Sequence, residues 1–435
     1  MKICVVGLGK LGAPLAAVLA AKGHDVTGID CDPAVVAAIN EGRAPVREPG
    51  LQEMLAAGRS RLTATLSWEA AIADADASFI IVPTPSQANG DFTNRHVLDA
   101  VTRIGEVLRH ASRYHVVNVT STVMPGATDG PVRAALEAAS GRVVSQTVGL
   151  CYNPEFIALG SVIRNMLRPD MILLGESDPR AGDVIEDIYR TVTENAPPVQ
   201  RMALVNAEIA KIALNSYVTM KISFANFIAE LCETMPGGDA GSVLAALGRD
   251  SRIGGKYLKG ASGYGGPCFP RDNAALGQFA RGRGMSSDLS LATDAVNRRQ
   301  AGRLAAQVRQ HLPPGGAVAI LGMAYKPDTP VVEESQGVML AADLAADGTS
   351  VTVYDPLALG NARALLGKSV GYAASLGEAV AGADVLVITT PDSAFQALPQ
   401  LTEGGKDVVI FDCWGLLAQA PAWARIVRIG VNDNA

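Results

Sequence analysis

The chain has 435 residues, 48% hydrophobic and 18% charged, which suits two or three domains with large cores and excludes a disordered protein. Its 43 acidic and 37 basic residues give a net charge of −6 without a basic cluster, so we expect no nucleic-acid partner. No apolar run has membrane-spanning length, so we expect no membrane partner.

The cysteines and histidines of the sequence indicate its compartment and exclude a metal site. Six cysteines lie far apart without a CxxC pair, which argues against a disulfide framework or a zinc site. The five histidines form no cluster, so they are interpreted as surface or core residues and no bound metal is expected. The first residues predict a β-strand and not a secretion signal, so we expect a cytoplasmic protein.

Residues 1–30 carry a dinucleotide-binding pattern. An apolar run is followed by the glycine turn, an Ala/Leu-rich helix and a second apolar run that ends at Asp30, 18 residues after Gly12. This order is what the GxGxxG fingerprint requires, with the helix N-terminus facing the phosphates. Asp30 would bind the ribose hydroxyls and repel a 2′-phosphate, which favours NAD over NADP. The turn consists of Gly7, Leu8, Gly9, Lys10, Leu11 and Gly12.

Three further strand-to-loop transitions follow in the N-terminal third. Residues 75–85 and 113–126 predict buried strands, and 148–156 predicts another. Ligands of open α/β sheets bind where such strands end. We therefore expect cofactor contacts from the loops after the first two of these strands, at Thr84, Pro85, Ser121 and Thr122.

Residues 201–235 keep apolar residues at helical spacing over many turns. They predict either one long helix joining two domains, with a face for a second subunit, or a kinked pair of core helices. Lys211 and Asn215 share one face, where Lys211 either reaches the surface at an edge or is held in a polar site. Glu155, after the third strand, is either a capping acid or a general base.

Residues 250–272 form a glycine-rich segment with a cysteine. Such a loop exposes main-chain N–H groups to an anion, and its cations and tyrosines suit a nucleotide. Cys268, beside this cationic loop, is a candidate nucleophile, because nearby positive charge favours the thiolate. The alternative is a small buried cysteine. The loop also contains Arg252, Tyr257, Lys259, Gly263, Tyr264, Gly265, Arg271 and Asp272.

The C-terminal third is a diverged copy of the first. Residues 317–330 again predict a strand and a glycine turn, 350–356 parallel 25–33, and 382–393 parallel 74–86. The fold class predicted is therefore α/β, with two Rossmann-like doubly wound domains joined by a long central helix. We expect an N-terminal domain at 1–200, a central helical domain at 201–300 and a C-terminal domain at 301–435. The second copy lacks GxGxxG, so its ligand need not be a dinucleotide.

Motifs along the whole chain resemble those of the nucleotide-sugar 6-dehydrogenase family, which includes UDP-glucose and GDP-mannose dehydrogenases. The motifs are GLGKLG (7–12), VPTP (82–85), STVMPG (121–126), NPEF (153–156), AEIAKIALN (207–215), GYGGPCFPRD (263–272), GMAYKPDT (322–329) and VYDP (353–356). The resemblance implies a homodimer or higher homo-oligomer that uses NAD to oxidise the C6 alcohol of a nucleotide-sugar to a carboxylate.

The resemblance also implies a role for each catalytic residue. Cys268 forms the thiohemiacetal and thioester, and Glu155 activates the hydrolytic water with help from Thr122. Lys211 and Asn215 stabilise oxyanions, and Asp272 holds a water. The substrate is bound by Glu155, Phe156, Lys211, Asn215, Arg252, Tyr257, Lys259, Gly263, Tyr264, Gly265, Tyr325 and Lys326.

Three positions depart from the family pattern. Leu159 stands where a second glutamate is usual, Glu333 where an arginine is usual, and Gly415 where the late Asp-x-x-Arg element has its arginine. UDP-glucose, a UDP-N-acetylhexosamine and GDP-mannose all stay open as substrates. So do an enzyme that stops at or passes through the C6 aldehyde, a silent nucleotide-sugar sensor and a 3-hydroxyacid-type dehydrogenase.

Overall fold

The computed structural model describes residues 1–87, 90–401 and 407–432. The chain divides into two compact units, Met1–Ile212 and Ala213–Ala435. In the residues described, no helix is both long and apolar enough to cross a membrane.

The N-terminal unit is built on one sheet, which has eight strands in the described part of the chain. The strands are β1 (Lys2–Val6), β2 (Asp25–Ile29), β3 (Leu62–Thr65), β4 (Ala77–Ile80), β5 (Val116–Val119), β6 (Gly149–Tyr152), β7 (Ile172–Glu176) and β8 (Val199–Ala203). Their order is β3-β2-β1-β4-β5-β6-β7-β8, with only the β6–β7 pair antiparallel among these described strands. Because the order reverses between β1 and β4, this is the doubly wound arrangement that binds ligands beside β1.

Helices on both faces of this sheet explain why its central strands are apolar throughout. Strands β4 and β5 are buried at every position, as expected for parallel strands covered on both sides. The helices are α1 (Gly12–Ala21), α2 (Pro33–Asn40), α3 (Leu51–Ala57), α4 (Trp68–Ile72), α5 (Arg95–Leu108), a π-helical turn at Thr128–Val132, α6 (Arg133–Ser140), α7 (Val162–Leu167) and α8 (Pro179–Val192).

The next helix, α9 (Leu204–Glu233), is continuous over 30 residues, so the hypothesis of a kinked pair is wrong. It contains neither Gly nor Pro, which removes the usual causes of a kink. It begins three residues later than the sequence suggested, because Val199–Ala203 pairs with β7 as a strand. The division between the two units falls within α9.

The C-terminal unit repeats the first topology, as the diverged copy predicted. Its parallel strands are β9 (Ala317–Leu321), β10 (Ser350–Tyr354), β11 (Gly371–Tyr372), β12 (Val385–Ile388), β13 (Val408–Asp412) and β14 (Ala424–Arg428). They lie in the order β11-β10-β9-β12-β13-β14. The helices are α10 (Ala240–Arg249), α11 (Phe269–Gly282), α12 (Asp288–His311), α13 (Gln336–Ala346), α14 (Leu359–Leu366), α15 (Leu376–Val380) and a 3₁₀ helix at Ser393–Gln400. The predicted α/β fold with two doubly wound sheets and a long helix is confirmed.

Candidate active site

The glycine turn after β1 has the close contacts that its fingerprint requires. Gly7 has φ +90°, and a Cβ atom there would lie 2.3 Å from the Ile81 carbonyl oxygen. A Cβ atom on Gly12 would lie 1.7 Å from the Gly7 carbonyl oxygen, whereas one on Gly9 would meet no atom within 4 Å. The backbone at Gly9 is therefore open to a pyrophosphate, and the start of α1 sits directly against the turn.

Asp30, at the end of β2, orients this turn. One carboxylate oxygen accepts the Leu8 N–H at 2.7 Å and the other accepts the Asp32 N–H at 2.9 Å. Each oxygen keeps a further lone pair for a ribose hydroxyl. The side chain is half-buried at the edge of a cavity of about 700 Å³.

That cavity lies at the carboxyl ends of β1, β2 and β4, where a doubly wound sheet binds its cofactor. Its volume falls in the range of small-molecule pockets. With the open backbone at Gly9 and the acceptor at Asp30, its lining fits NAD. The turn lines it through Gly7, Gly9, Lys10, Leu11 and Gly12.

The predicted loops after β4 and β5 are bonded to each other. The Ser121 hydroxyl accepts the Val82 N–H at 2.9 Å and donates to the Val82 carbonyl at 2.8 Å. The Thr84 hydroxyl donates to the Thr122 carbonyl at 2.7 Å. Thr84 and Ser121 are buried, so they hold the loop pair together, while Thr122 is half-buried and Pro85 is exposed.

Glu155 and Lys211 lie together in the N-terminal unit. The Lys211 ammonium donates to the Glu155 carbonyl oxygen at 2.7 Å and lies 4.6 Å from the centroid of the Phe156 ring. The Tyr189 hydroxyl donates to the Glu155 carboxylate at 2.8 Å. Burial raises the pKa of Glu155, against the opposing effects of the Tyr189 hydrogen bond and the Lys211 charge. Lys211 is buried, so it does not extend to the surface at an edge.

Cys268 and the Asn215–Asp272 pair belong to the C-terminal unit. Cys268 is exposed and occupies the N-cap position of α11, where the partial positive charge of the helix favours a thiolate. Asp272, one turn into that helix, is fully buried. One of its oxygens accepts from the Asn215 amide at 2.7 Å and the other from the Arg271 guanidinium at 3.1 Å.

The glycine loop before Cys268 is held by hydrogen bonds to its own main chain at Tyr264 and Gly266. Asn297 bonds the Tyr264 N–H and carbonyl at 2.7 and 3.0 Å, and the Gly266 N–H donates to the Glu333 carbonyl at 2.9 Å. Cβ atoms on Gly263 and Gly265 would lie within 3 Å of neighbouring atoms. The Tyr264 ring is buried edge-on against Phe269, so it packs the loop.

The remaining predicted substrate residues lie on the same unit at its surface or edges. Arg252 is exposed and paired with Asp250 at 2.6 Å. Tyr257 is half exposed with φ +63°, and Lys259 bonds the Trp414 carbonyl. The Tyr325 ring packs on Gly266, and burial, together with the charge of Cys268, raises the pKa of its hydroxyl. Lys326 lies 6.0 Å from the Tyr325 ring centroid.

The three departures from the family pattern keep main-chain and packing roles. Leu159 packs against the hydrophobic core of the N-terminal unit. Glu333 contributes its carbonyl to the Cys268 loop, and Trp414, next to Gly415, contributes its carbonyl to Lys259. A change of side chain leaves these carbonyl contacts possible.

Sequence reasoning missed several residues that shape the site. Glu208 is buried on α9 and accepts the Gly126 and Thr128 N–H groups at 2.6 and 2.7 Å. Asn226 bonds the Ala261 N–H and the Ser262 carbonyl of the glycine loop. In the sequence, Glu208 and Asn226 could be noticed only as a single carboxylate and a single amide in a mostly apolar helical stretch. Trp68, His96, Asp99 and Arg103 also line the cofactor cavity.

A doubly wound sheet with this glycine turn and this acidic strand end is the cofactor half of an NAD-dependent dehydrogenase. Family models match nearly the whole chain. The NAD binding domain of the UDP-glucose/GDP-mannose dehydrogenase family matches residues 1–193, its central domain 205–299 and its UDP binding domain 319–419. The chain therefore belongs to the UDP-glucose/GDP-mannose dehydrogenase family, and its cofactor is NAD.

Individual relatives are similar over almost their full length. A UDP-glucose 6-dehydrogenase of Haloferax volcanii is 36% identical, with 95% of this chain and 96% of the relative covered. A GDP-mannose 6-dehydrogenase of Pseudomonas aeruginosa is 31% identical, covering 94% and 96%. The solved structure of a UDP-glucose dehydrogenase from Pyrobaculum islandicum matches with a TM-score of 0.87 at 36% identity, covering 99% and 97% of the two chains.

The two glycines of the turn should respond differently to alanine. Gly12→Ala forces a Cβ atom into the Gly7 carbonyl, so we expect a loss of about 1–3 kcal/mol of unfolding free energy and of NAD binding. Gly9→Ala, with open space around its Cβ atom, should keep the unfolding free energy and lose NAD affinity alone. Urea unfolding and calorimetric titration with NAD check this. Equal stability losses in both variants would contradict it.

Proposed function

We propose that this dehydrogenase oxidises the C6 hydroxyl of a UDP-hexose, with UDP-glucose the first substrate to test, to the uronic acid. The observation that carries the proposal is Cys268, an exposed thiol at the N-terminus of α11, one turn from the buried Asp272. The UDP binding domain model at 319–419 and the UDP-glucose 6-dehydrogenases among the relatives support the substrate class. GDP-mannose and UDP-N-acetylhexosamines are the alternatives, the former supported by GDP-mannose relatives.

We also propose three functional segments, with the boundaries expected from the sequence. They are a cofactor domain at 1–200, a central helical domain at 201–300 and a nucleotide-sugar domain at 301–435. A thiol nucleophile works only when reduced, so we place the reaction in the cytoplasm.

NAD, held by the glycine turn and Asp30, would supply the hydride acceptor for C6 in each of two oxidations. In the first, the hydroxyl proton leaves as C6 becomes an aldehyde, and Lys211, Asn215 and a water on Asp272 are the groups assigned to that proton and the oxyanion. The Asn215 hydrogen bond fixes the orientation of the Asp272 carboxylate. The buried Lys211 keeps its ammonium oriented through the Glu155 carbonyl.

Cys268 retains the aldehyde between the two oxidations. Its thiolate forms a C–S bond to C6 while the carbonyl oxygen takes up a proton, giving a thiohemiacetal. Loss of the second hydride and of that proton gives a thioester. Glu155 then takes a proton from water as the water attacks, with Thr122 assisting. The C–S bond breaks, releasing the carboxylate and the thiolate. Burial moves the pKa of Glu155 upward, in the direction of neutral pH, and this suits a general base.

A panel of nucleotide-sugars tests the substrate. Purified protein with NAD should turn over UDP-glucose at least about tenfold more efficiently than GDP-mannose or a UDP-N-acetylhexosamine, with two NADH per sugar and the mass of a C6 carboxylate. NADH absorbance and product mass spectrometry measure both. An aldehyde with one NADH would establish the partial oxidation instead. No NADH with any sugar, but binding of one, would establish a sensor.

Replacement of the nucleophile tests the covalent route. Cys268→Ser should lower turnover by about 10³-fold or more. A serine hydroxyl attacks the aldehyde less readily than a thiolate does, and an oxygen ester is hydrolysed more slowly than a thioester. Cys232→Ala, a buried cysteine of α9, is the matched control and should keep most activity. Full activity of the serine variant would favour simple alcohol oxidation, as in a 3-hydroxyacid-type dehydrogenase.

The Tyr189 hydroxyl should set the pH dependence of hydrolysis. Its hydrogen bond lowers the pKa of Glu155, so Tyr189→Phe raises that pKa and moves the acid limb of the pH–rate profile to higher pH. Tyr372→Phe removes a hydroxyl that bonds the Gly367 carbonyl and serves as control. An unmoved limb in Tyr189→Phe would contradict Glu155 as the base.

An exposed stripe on α9 supports a homodimer. Tyr217, Met220, Phe224, Phe227 and Leu231 follow the three-four spacing of a coiled-coil seam, and all except Met220 are about half exposed. A monomer would leave these apolar side chains in water.

Phe224→Glu should convert the dimer into a monomer, because a carboxylate in the seam would lose its hydration. Leu289→Glu, an exposed leucine on α12, is the control. Light scattering after size exclusion gives the mass. A dimer that persists in Phe224→Glu would place the interface elsewhere.

A further inference from the structure

One wall of the cofactor cavity is built by residues outside every motif that carries the family resemblance. Trp68 begins α4, which leads into β4, and Arg103 lies on α5, which follows β4. Both line the same cavity as Asp30 and the glycine turn. The motifs that carry the resemblance therefore give neither residue a role.

The position of the wall relative to the sheet indicates which half of NAD it faces. Asp30, at the end of β2, marks the adenosine ribose, and Gly9 marks the pyrophosphate. The adenine of such a cofactor lies beyond its ribose, in the crevice between the ends of β2 and β4. On the side of α4 and α5 the cavity is lined by Ile29, Val82 and Ala100, by Trp68 and Arg103, and by His96 and Asp99. The apolar and planar side chains among them suit a flat heterocycle.

Trp68 and Arg103 already contact one another. The Arg103 guanidinium carbon lies 5.7 Å from the centroid of the Trp68 ring, within cation–π range. A base inserted between them would need about 3.5 Å on each side. The pair is too close for that, so it acts as one surface. Trp68 is half-buried and Arg103 is exposed.

We propose that the Trp68–Arg103 pair is the surface on which the adenine ring of NAD stacks, making both residues cofactor-positioning residues. The contact with the Trp68 ring restrains the guanidinium before the cofactor arrives, so less side-chain entropy is lost on binding. A flat, delocalised guanidinium and an indole both stack on heterocycles. The inference rests on NAD as cofactor and is independent of which sugar is oxidised.

Binding measurements with fragments of the cofactor test the inference. The ligands are NAD, ADP-ribose, which has the adenosine half, nicotinamide mononucleotide, which lacks it, and NADP. The variants are Trp68→Leu and Arg103→Met, which keep apolar bulk, with Arg95→Met, an exposed arginine at the start of α5, as control. Calorimetry gives the dissociation constants, and circular dichroism with thermal unfolding verifies folding.

We expect Trp68→Leu and Arg103→Met each to weaken NAD and ADP-ribose by about 5- to 30-fold, as loss of a stacking partner does. Nicotinamide mononucleotide should bind all proteins equally, and Arg95→Met should match the parent. ADP-ribose should also quench tryptophan fluorescence in the parent protein, and this quenching should be lost in Trp68→Leu. Unchanged ADP-ribose affinity in a folded variant would overturn the proposal, as would an equal loss of mononucleotide affinity. If Arg103→Met lost affinity for NADP alone, Arg103 would lie at a 2′-phosphate, and this result would also overturn the proposal.

Discussion

Buried main-chain N–H groups need acceptors, and side-chain carboxylates provide them at the ligand-binding edge of each sheet. Asp30 accepts the Leu8 N–H inside the glycine turn. Glu208, reaching from α9, accepts the Gly126 and Thr128 N–H groups of the loop after β5. The cofactor loops are thus tied to a strand end and to the long helix by charge-assisted hydrogen bonds, which are among the stronger ones in proteins.

The two sheets share a topology but use the corresponding aspartate differently. Asp355, which follows β10 as Asp30 follows β2, is buried and accepts the N–H groups of Met323 and Ala324 in the turn after β9. It also accepts those of Leu357 and Ala358. Asp30 accepts one N–H of its turn and is half-buried, so it stays accessible to a ligand. Asp355 accepts two N–H groups of its turn and is buried, which agrees with the missing GxGxxG.

Much of the site could be predicted because its groups recur at short, recognisable spacings. Gly7, Gly12 and Asp30 are read from one strand-turn-helix-strand segment, and Cys268 stands in a loop whose glycines and prolines are unlike core sequence. The contacts of Asn226 and Asn297 with the Cys268 loop were not predictable. Each joins a helix to a segment more than 30 residues away, and nothing in the local pattern specifies the partner.

The α/β class, the repeated sheet topology and the family could be inferred from the residues alone, because these depend on periodic apolar runs and local turn chemistry. Three-dimensional packing was needed to establish that α9 is continuous, that Tyr264 is buried, and that Trp68 and Arg103 line the cofactor cavity. Those outcomes depend on which distant surfaces pack together. The burial of a side chain depends on the neighbours that folding brings to it, and short-range spacing in the sequence does not specify those neighbours.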